Sequence, residues 1–480
     1  MSESLISQLP AVVIEGRKEA ETSLERIKCC PAASLQVNEY VFPLMTDSVA
    51  EMDGAVSSES SEKWTNRLFY GDNLLIIEAL LAGDAATGLP SMKGKVDLIY
   101  IDPPFASRAN YRTTSTISNV GGDPLVLEQR AYEDSWDEGM FGYLRMLYSR
   151  LFLMRELLSE QGSLIIHLDW HAVHYVKVLL DEIFGYDNFR NEIAWCYGGG
   201  GAPKKTYSKK HDLLLWYSKG SDWTFNRQFR PYTKGTLERG LTAVKGDKYA
   251  LRKEGAGLDD WWCGKEVQKI LSPTAYENLK FTTQKPEGLL KRIINGHSNE
   301  GDMVADFFCG SGTTGAVAEK LGRRWIMADA SRLAYKLTYK RLLNQQSKFI
   351  SQAAQYPLPS IGSLVLKQSV ISRSEGFDTI KVELIDYHID MDSLPLQISD
   401  QLERVITSDP LALIEYWMVD PDYDGKVFQG RWQSCRGNDC RVGLETEIRV
   451  PGVEGVRKIC VKAVDVFGYE SRALVCADGC

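Results

Sequence analysis

Asp102, Pro103, Pro104 and Phe105 are the stretch of this 480-residue chain whose residue types speak most directly of chemistry. A carboxylate accepts hydrogen bonds on two oxygens. The prolines lack N–H groups, so the turn offers mainly carbonyl acceptors. Each proline also pushes the residue before it out of the helical region, which holds Asp102 and Pro103 extended. Rigid acceptors beside an aromatic ring suit a planar group that bears an exocyclic amine. A strand end with a proline-rich turn and a solvated aspartate is the plainer reading of the tetrapeptide alone.

A second constellation lies two hundred residues on. Gly310, Gly312 and Gly315 satisfy G-x-G-x-x-G between a strand-like and a helix-like run, and Asp329 follows 19 residues after Gly310. That spacing lets a backbone approach a ligand closely and places a carboxylate near ribose hydroxyls. On these residues alone a nicotinamide or flavin dinucleotide enzyme is a full rival to any other nucleoside-binding enzyme.

The elements that must position these groups are α/β in pattern. Val96–Ile101 reads as a buried strand, and Asp102 stands at its carboxyl end, where open α/β sheets bind ligands. Arg67–Tyr70, Gly162–Leu168, Ile193–Tyr197, Met303–Cys309 and Arg324–Ala328 read as further strands. Leu74–Leu81, Tyr143–Leu158, His174–Phe184, Leu289–Asn295, Ala316–Leu321 and Leu333–Gln345 read as helices. Residues 106–138, with acidic Glu133 and Asp134, are expected to form an irregular loop that orders around substrate.

With these surroundings the motifs resemble the amino-methyltransferases that modify DNA bases. Asp102-Pro103-Pro104-Phe105 is similar to their motif IV in its N6-adenine form, the N4-cytosine branch more often carrying serine first. Asp306-Phe307-Phe308-Cys309-Gly310-Ser311-Gly312-Thr313-Thr314 is similar to motif I. Gln284-Lys285-Pro286 resembles motif X, and Gly71-Asp72-Asn73 resembles the segment just before motif IV. Motif IV precedes motifs X and I, the circularly permuted order of the β group. Tyr100–Phe105, Asp181–Phe184 and an extra carboxyl-terminal unit look like Mod-type subunits of type III restriction–modification systems. Met327-Ala328-Asp329-Ala330 departs from the family's aliphatic-Gly-acidic pattern.

The resemblance implies a Rossmann-like, S-adenosylmethionine-dependent methyltransferase fold, with a mostly parallel, circularly permuted sheet. It implies methyl transfer to N6 of an adenine flipped out of double-stranded DNA, with N4 of cytosine as the alternative. A non-catalytic DNA-specificity subunit is an alternative of another class. Asp102, Pro103, Pro104 and Phe105 are the expected catalytic set. Asp72, Asp102, Gln284, Lys285, Pro286, Asp306, Phe308, Gly310, Ser311, Gly312, Thr313, Thr314 and Asp329 are the expected cofactor set. Gly312 is expected to let the backbone approach the ligand. The resemblance also implies a homodimer or an assembly with a helicase-nuclease restriction subunit.

Composition constrains the partners. Net charge is −8, which excludes a uniformly basic coat but allows a local basic surface. Between Gly201 and Gly235 eight Lys or Arg stand against two Asp, with aromatics interleaved. Basic side chains contact phosphates and aromatics stack on bases, so Lys204, Lys205, Lys209, Lys210, Arg227 and Arg230 are the expected DNA contacts. No run reaches the roughly 18 apolar residues of a membrane span, and Met1–Gly16 lacks a signal-peptide pattern, so a cytoplasmic protein is expected. His167, Asp169, His171 and His174 have metal-like spacing. Methyl transfer from a sulfonium needs no metal, so a base or DNA-backbone contact in the cleft is expected of them instead. The pairs Cys435/Cys440 and Cys476/Cys480 are spaced more loosely than a zinc knuckle and are expected to be plain thiols.

Five units are expected. Residues 1–62 form an accessory segment, helical around Arg17–Ile27 and ending in the polar linker Ser57–Glu62. Residues 63–197 form the catalytic half, 198–280 an inserted target-recognition region, and 281–348 the cofactor half. Residues 349–480 form a β-rich domain of six short strands, expected to fold alone, so that a chain cut near Ser351 stays soluble and binds cofactor.

Overall fold

The computed structural model describes residues 4–29, 35–43, 64–119, 122–199, 201, 203–239, 251–270, 272, 275–354, 359–367, 370–374, 376–394 and 396–477. The linker expected at Ser57–Glu62 lies outside the described residues, as does Cys480.

An 11-stranded sheet organises the molecule. Six neighbouring strands run parallel, in the order Leu158–Leu168, Val96–Ile101, Met303–Asp306, Arg324–Asp329, Asn66–Tyr70 and Phe349–Ala354. Val96–Ile101 is buried on both faces, as apolar runs in a parallel sheet must be. Ile99 and Ile101 pack with helices Asn73–Ala82, Gly139–Leu157 and Val173–Phe184; Leu98 and Tyr100 pack with Glu287–His297 on the opposite side. Strands that are distant in sequence meet at the middle, where Leu98 and Ile99 pair with Val304 and Ala305. The carboxyl ends carrying Asp102 and Asp306 therefore lie side by side. Among the described residues no helix is long and apolar enough to cross a membrane.

Several expected boundaries move. Strand His211–Ser218 falls within the expected insertion, yet it lies in the main sheet between Leu158–Leu168 and Phe189–Cys196. Its run Leu214–Tyr217 is buried, and that burial outweighs its basic, polar flanks. The expected loop 106–138 contains an antiparallel hairpin, Asn110–Ile117 with Leu125–Glu133. Its threonines have high β-propensity, and Thr113, Ile117, Leu127, Gln129 and Ala131 face inward.

Neither end is an appendage. Helix Leu5–Cys29 packs on Gly139–Leu157, where a side chain at Gly16 would meet Tyr148 Cδ1 at 2.7 Å. Strand Leu35–Val41 pairs antiparallel with Phe349–Ala354, so the boundary expected at residue 349 cuts through the main sheet. The carboxyl-terminal unit is two four-stranded sheets, 362–366/377–389/370–374/445–451 and 432–435/414–420/457–465/470–477, with an amphipathic helix Asp400–Ser408 that its strand-like flanks conceal. The short strand Phe428–Gly430 leaves this unit to form the edge of the main sheet beside Leu35–Val41. Lys462 Nζ and Glu39 form an ion pair, both side chains at most 1% exposed. Lys336 Nζ donates to the Val466 carbonyl at 2.7 Å. A cut near Ser351 would strip partners from buried charges, which argues against an independent unit.

Candidate active site

A cavity of about 460 Å³ opens at the carboxyl edge of the parallel strands. That size is ordinary for a small-molecule site. Asp72, Asp102, Lys285, Asp306, Phe308, Gly310, Ser311, Thr313, Thr314 and Asp329 of the expected cofactor set line it, together with Pro104. Two motifs more than two hundred residues apart thus share one cleft.

Asp102 is half-buried and its two oxygens differ. Oδ2 accepts from Lys285 Nζ, while Oδ1 is buried with no hydrogen-bond partner. A buried acceptor left open costs free energy unless a ligand satisfies it. Phe105 does not line the cavity. Its ring lies 6.0 Å from that of His167, with 28° between the planes. The Pro103 residue is buried.

His167 is fully buried and stands behind the motif rather than in it. Its Nε2 lies 3.3 Å from Asp212 Oδ2 and its Nδ1 lies 3.1 Å from the Tyr100 hydroxyl. A carboxylate only accepts, so Nε2 donates to Asp212, and Nδ1 is bonded to the Tyr100 hydroxyl. Burial pushes the Asp212 carboxyl up, but the hydrogen bond and charge of His167, the Lys285 ammonium and a hydrogen bond from Tyr197 at 2.9 Å bring it below its ordinary range. The DNA contact expected of His167 is therefore absent, because both ring nitrogens are already bonded. His171 Nδ1 lies 2.7 Å from Asp169 Oδ2. No group of three or more His, Cys, Asp or Glu is set to hold a metal among the described residues.

The cofactor half holds two carboxylates, Asp306 buried and Asp329 half-buried. Asp306 accepts from Thr314 Oγ1 at 2.5 Å and from the Phe308 N–H at 3.0 Å. Burial still pushes its carboxyl up to about 7. Asp329 accepts from the N–H groups of Gly310 and Ser331, each at 2.8 Å, and burial pushes it up to about 6. Gly310 adopts φ 52°, which suits glycine and turns its N–H toward Asp329.

Three members of the expected set stand off the cavity. Gly312 has φ 72°, and a Cβ there would meet Thr338 Cγ2 at 2.7 Å, so the close approach is to helix Arg332–Asn344 and not to a ligand. Gln284 uses its amide inside its own loop, Oε1 accepting from Leu279 N–H at 2.8 Å and Nε2 donating to the Glu277 carbonyl. Pro286 caps helix Glu287–His297.

Other residues enter the site without a sequence signal of their own. Arg150 donates to Asp72 Oδ1 at 3.0 Å and to Asn73 Oδ1 at 2.7 Å from a helix that reads only as apolar and periodic. Tyr132, Trp136 and Phe281 give the cavity an aromatic wall. Asp134 is wholly buried and accepts from the N–H groups of Phe105, Ala106 and Ser107 at 3.1, 3.0 and 2.8 Å. It orders the turn behind the motif, not a mobile substrate loop.

The basic residues divide into two groups. Lys204, Lys205 and Lys209 are exposed, Lys210 is half-buried with Nζ on the Gly199 carbonyl, and Lys209 Nζ stands 3.3 Å from the ring centroid of Trp170. Trp170 is half-exposed just past the carboxyl end of strand Leu158–Leu168, at the cavity's edge of the sheet. Arg227 and Arg230 lie elsewhere: Asn226 and Gln228 bond to the carbonyls of Asn295 and Arg292 in the second half of helix Glu287–His297, roughly 8–12 Å along the helix from its first residue. Arg230 is matched by Asp259 at 2.9 Å.

Known proteins resemble this chain over more than half of its length. The type II methyltransferase M.EcaI of Enterobacter cloacae is 27% identical over 344 residues, covering 59% of this chain and 71% of that protein. The type II methyltransferase M2.DpnII of Streptococcus pneumoniae is 29% identical over 282 residues, covering 57% and 91%. The DNA adenine methyltransferase YhdJ of Escherichia coli (strain K12) is 28% identical over 269 residues, covering 55% and 82%. The DNA methylase family, which comprises N6 and N4 methyltransferases, matches residues 96–340, from the strand that delivers Asp102 to the helix that backs Gly312. Just over half of the chain is matched, and the chain belongs to that family.

Proposed function

We propose that this DNA methylase transfers a methyl group from S-adenosylmethionine to N6 of an adenine flipped out of duplex DNA. The observation that carries the reading is the unpartnered Oδ1 of Asp102, a buried acceptor on a residue that lines a cavity of nucleoside size. An aspartate at this position, rather than serine, favours adenine, and one relative carries adenine in its name.

The residues present fit S-adenosylmethionine. Tyr132, Phe281 and Phe308 offer surfaces for its adenine, Asp329 for the ribose hydroxyls, and Asp72 and Asp306 offset its positive charge. When bound, it supplies an electrophilic sulfonium methyl group. Asp102 Oδ1 accepts one N6–H of the target and the Pro103 carbonyl accepts the other. These contacts draw the nitrogen lone pair out of conjugation with the ring and point it at the cofactor pocket. Asp102 Oδ1 then holds the proton that N6 sheds. Phe105, backed by His167, offers its ring to the flipped base. Lys204, Lys205, Lys209 and Lys210 contact phosphates, and Trp170 stacks beside them at the cleft mouth.

The resemblance to Mod-type subunits supports a place in a restriction–modification system, as a dimer or beside a helicase-nuclease subunit. Incubation with labelled S-adenosylmethionine and duplex DNA, followed by nucleoside identification, tests the central claim. N6-methyladenine is the expected product. N4-methylcytosine would move the protein to the cytosine branch, and tight DNA binding without transfer would make it a specificity subunit. Binding of a nicotinamide cofactor instead would overturn the reading.

A further inference from the structure

Lys285 lines the cavity with the expected cofactor set, and its ammonium is bonded to Asp102 Oδ2. The two side chains are 10% and 16% exposed, so water screens the pair little. An ammonium has three donors. A second goes to the Thr283 carbonyl at 3.2 Å, and the charge also stands 5.6 Å from the ring centroid of Phe105. An unmatched ammonium is an unfavourable neighbour for a sulfonium. One already matched by a carboxylate is not.

The segment that carries Lys285 is held at many points. Gln284 is bonded at both ends of its amide within residues 277–284, and the Glu287 N–H donates to Glu277 Oε2 at 2.8 Å. The Lys285 carbonyl accepts from Thr313 Oγ1 at 3.1 Å, and Arg341 Nη1 donates to that same hydroxyl at 2.9 Å. Thr313 is the first residue of the helix that follows Gly310-Ser311-Gly312. A continuous set of hydrogen bonds therefore runs from the cofactor loop through the Lys285 main chain and side chain to the carboxylate of motif IV.

We infer that Lys285 is a positioning residue for Asp102, and that it registers the catalytic half of the site against the cofactor half. By occupying Oδ2 it leaves Oδ1 as this carboxylate's acceptor for the target amine, with its direction set by the anchored segment. The inference rests on the proposed methyl transfer to adenine. Substrate binding uses many other contacts, so loss of Lys285 should act on kcat much more than on affinity.

The test compares full-length wild type with Lys285→Ala and Lys285→Arg, reading kcat, KM for DNA, and S-adenosylmethionine affinity by calorimetry. Lys285→Ala is expected to lose on the order of 100-fold in kcat, the effect of removing one oriented polar group from an active site, with cofactor affinity nearly unchanged and a lowered melting temperature, since the Asp102 carboxylate loses its counter-ion. Lys285→Arg should recover most of that loss, and added propylamine should partly restore the alanine variant. Undiminished kcat in Lys285→Ala would overturn the inference. So would a loss that follows cofactor affinity and answers to neither arginine nor amine, since Lys285 would then be a cofactor ligand. If Lys285→Ala fails to fold, Lys285→Arg and Lys285→Gln decide it, the glutamine variant being expected to fall well below the arginine one. A wild type that methylates no adenine would remove the parent reading, a result distinct from any difference among variants.

Discussion

Asp134 and Phe105 stand 29 residues apart in the chain, and the aspartate's Oδ2 accepts the Phe105 N–H at 3.1 Å. The same carboxylate also takes the N–H groups of Ala106 and Ser107 and the Ser107 hydroxyl. Ala106 and Arg108 adopt φ 56° and 59°, a region that non-glycine residues enter at a cost of roughly 1–3 kcal/mol each. Asp134 offsets that strain and gives the motif its rigid turn. Asp134→Ala should therefore destabilise by roughly 1.5–3 kcal/mol, the range for hydrogen bonds to a charge, and abolish transfer without touching the substrate. Thermal unfolding and a methylation assay check this; a stable, active Asp134→Ala would show that the turn holds itself.

Asp102→Asn should end methyl transfer while cofactor and DNA affinities stay within several-fold. Asp102→Ala is a poorer probe, because it leaves the nearly buried Lys285 ammonium without any side-chain acceptor in place of Asp102, whereas asparagine keeps a carbonyl oxygen there. Near-normal turnover in the asparagine variant would remove Asp102 from the mechanism.

Burial raises Asp306 to about 7 and Asp329 to about 6, above the ordinary carboxylate range. Between about pH 4 and 7 the folded protein holds protons that the unfolded chain has released. The stability they contribute is fully present below about pH 4 and lost as pH rises through those folded values. A cationic ligand favours the ionised forms, so S-adenosylmethionine should bind more tightly from pH 5.5 to 8, with proton release. Its uncharged-sulfur product should show a weaker trend. Calorimetry in buffers of different ionisation heat reads the protons, and Asp306→Asn should flatten the profile. A flat profile in the wild type would mean that the cofactor's charge is met elsewhere.

Replacing Lys204, Lys205, Lys209 and Lys210 together with glutamine should weaken binding to every DNA sequence. The salt dependence should fall by about 0.9 in slope for each phosphate contact removed. The corresponding change at Arg227 and Arg230 should alter the slope less, because Arg230 is already paired with Asp259. Equal slopes for the lysine variant and the wild type would place the duplex on another face.

Removing one partner of a buried ion pair costs roughly 3–5 kcal/mol, whereas replacing both with apolar groups is often near neutral. Lys462→Met should therefore destabilise strongly, and the double change with Glu39→Leu should recover most of the loss. A chain ending near Ser351 should be insoluble for the same reason, since it leaves Glu39 buried without Lys462. Denaturant unfolding and a solubility assay check both, and a soluble, cofactor-binding fragment would restore the independent unit.

What the sequence by itself determined is local and periodic. Apolar runs specified the central strands, Val96–Ile101 to the residue, and the prolines and glycines specified the turns that close them. The motifs identified the carboxylates Asp102, Asp306 and Asp329, because each stands at or just past the end of a strand that burial alone defines. Only the tertiary structure decided which atoms meet. Asp134 lies in a polar stretch that resembles any exposed acidic loop until the turn it satisfies is in place. His167 has the spacing of a ligand but is removed from the cleft by Tyr100 and Asp212. Lys285 and Gly312 belong to motifs whose residue types suit a cofactor, yet one side chain bonds to Asp102 and the other position packs on Thr338. Hydrogen-bond partners and close contacts depend on chain separations of up to several hundred residues, and periodicity over a dozen residues carries no record of them.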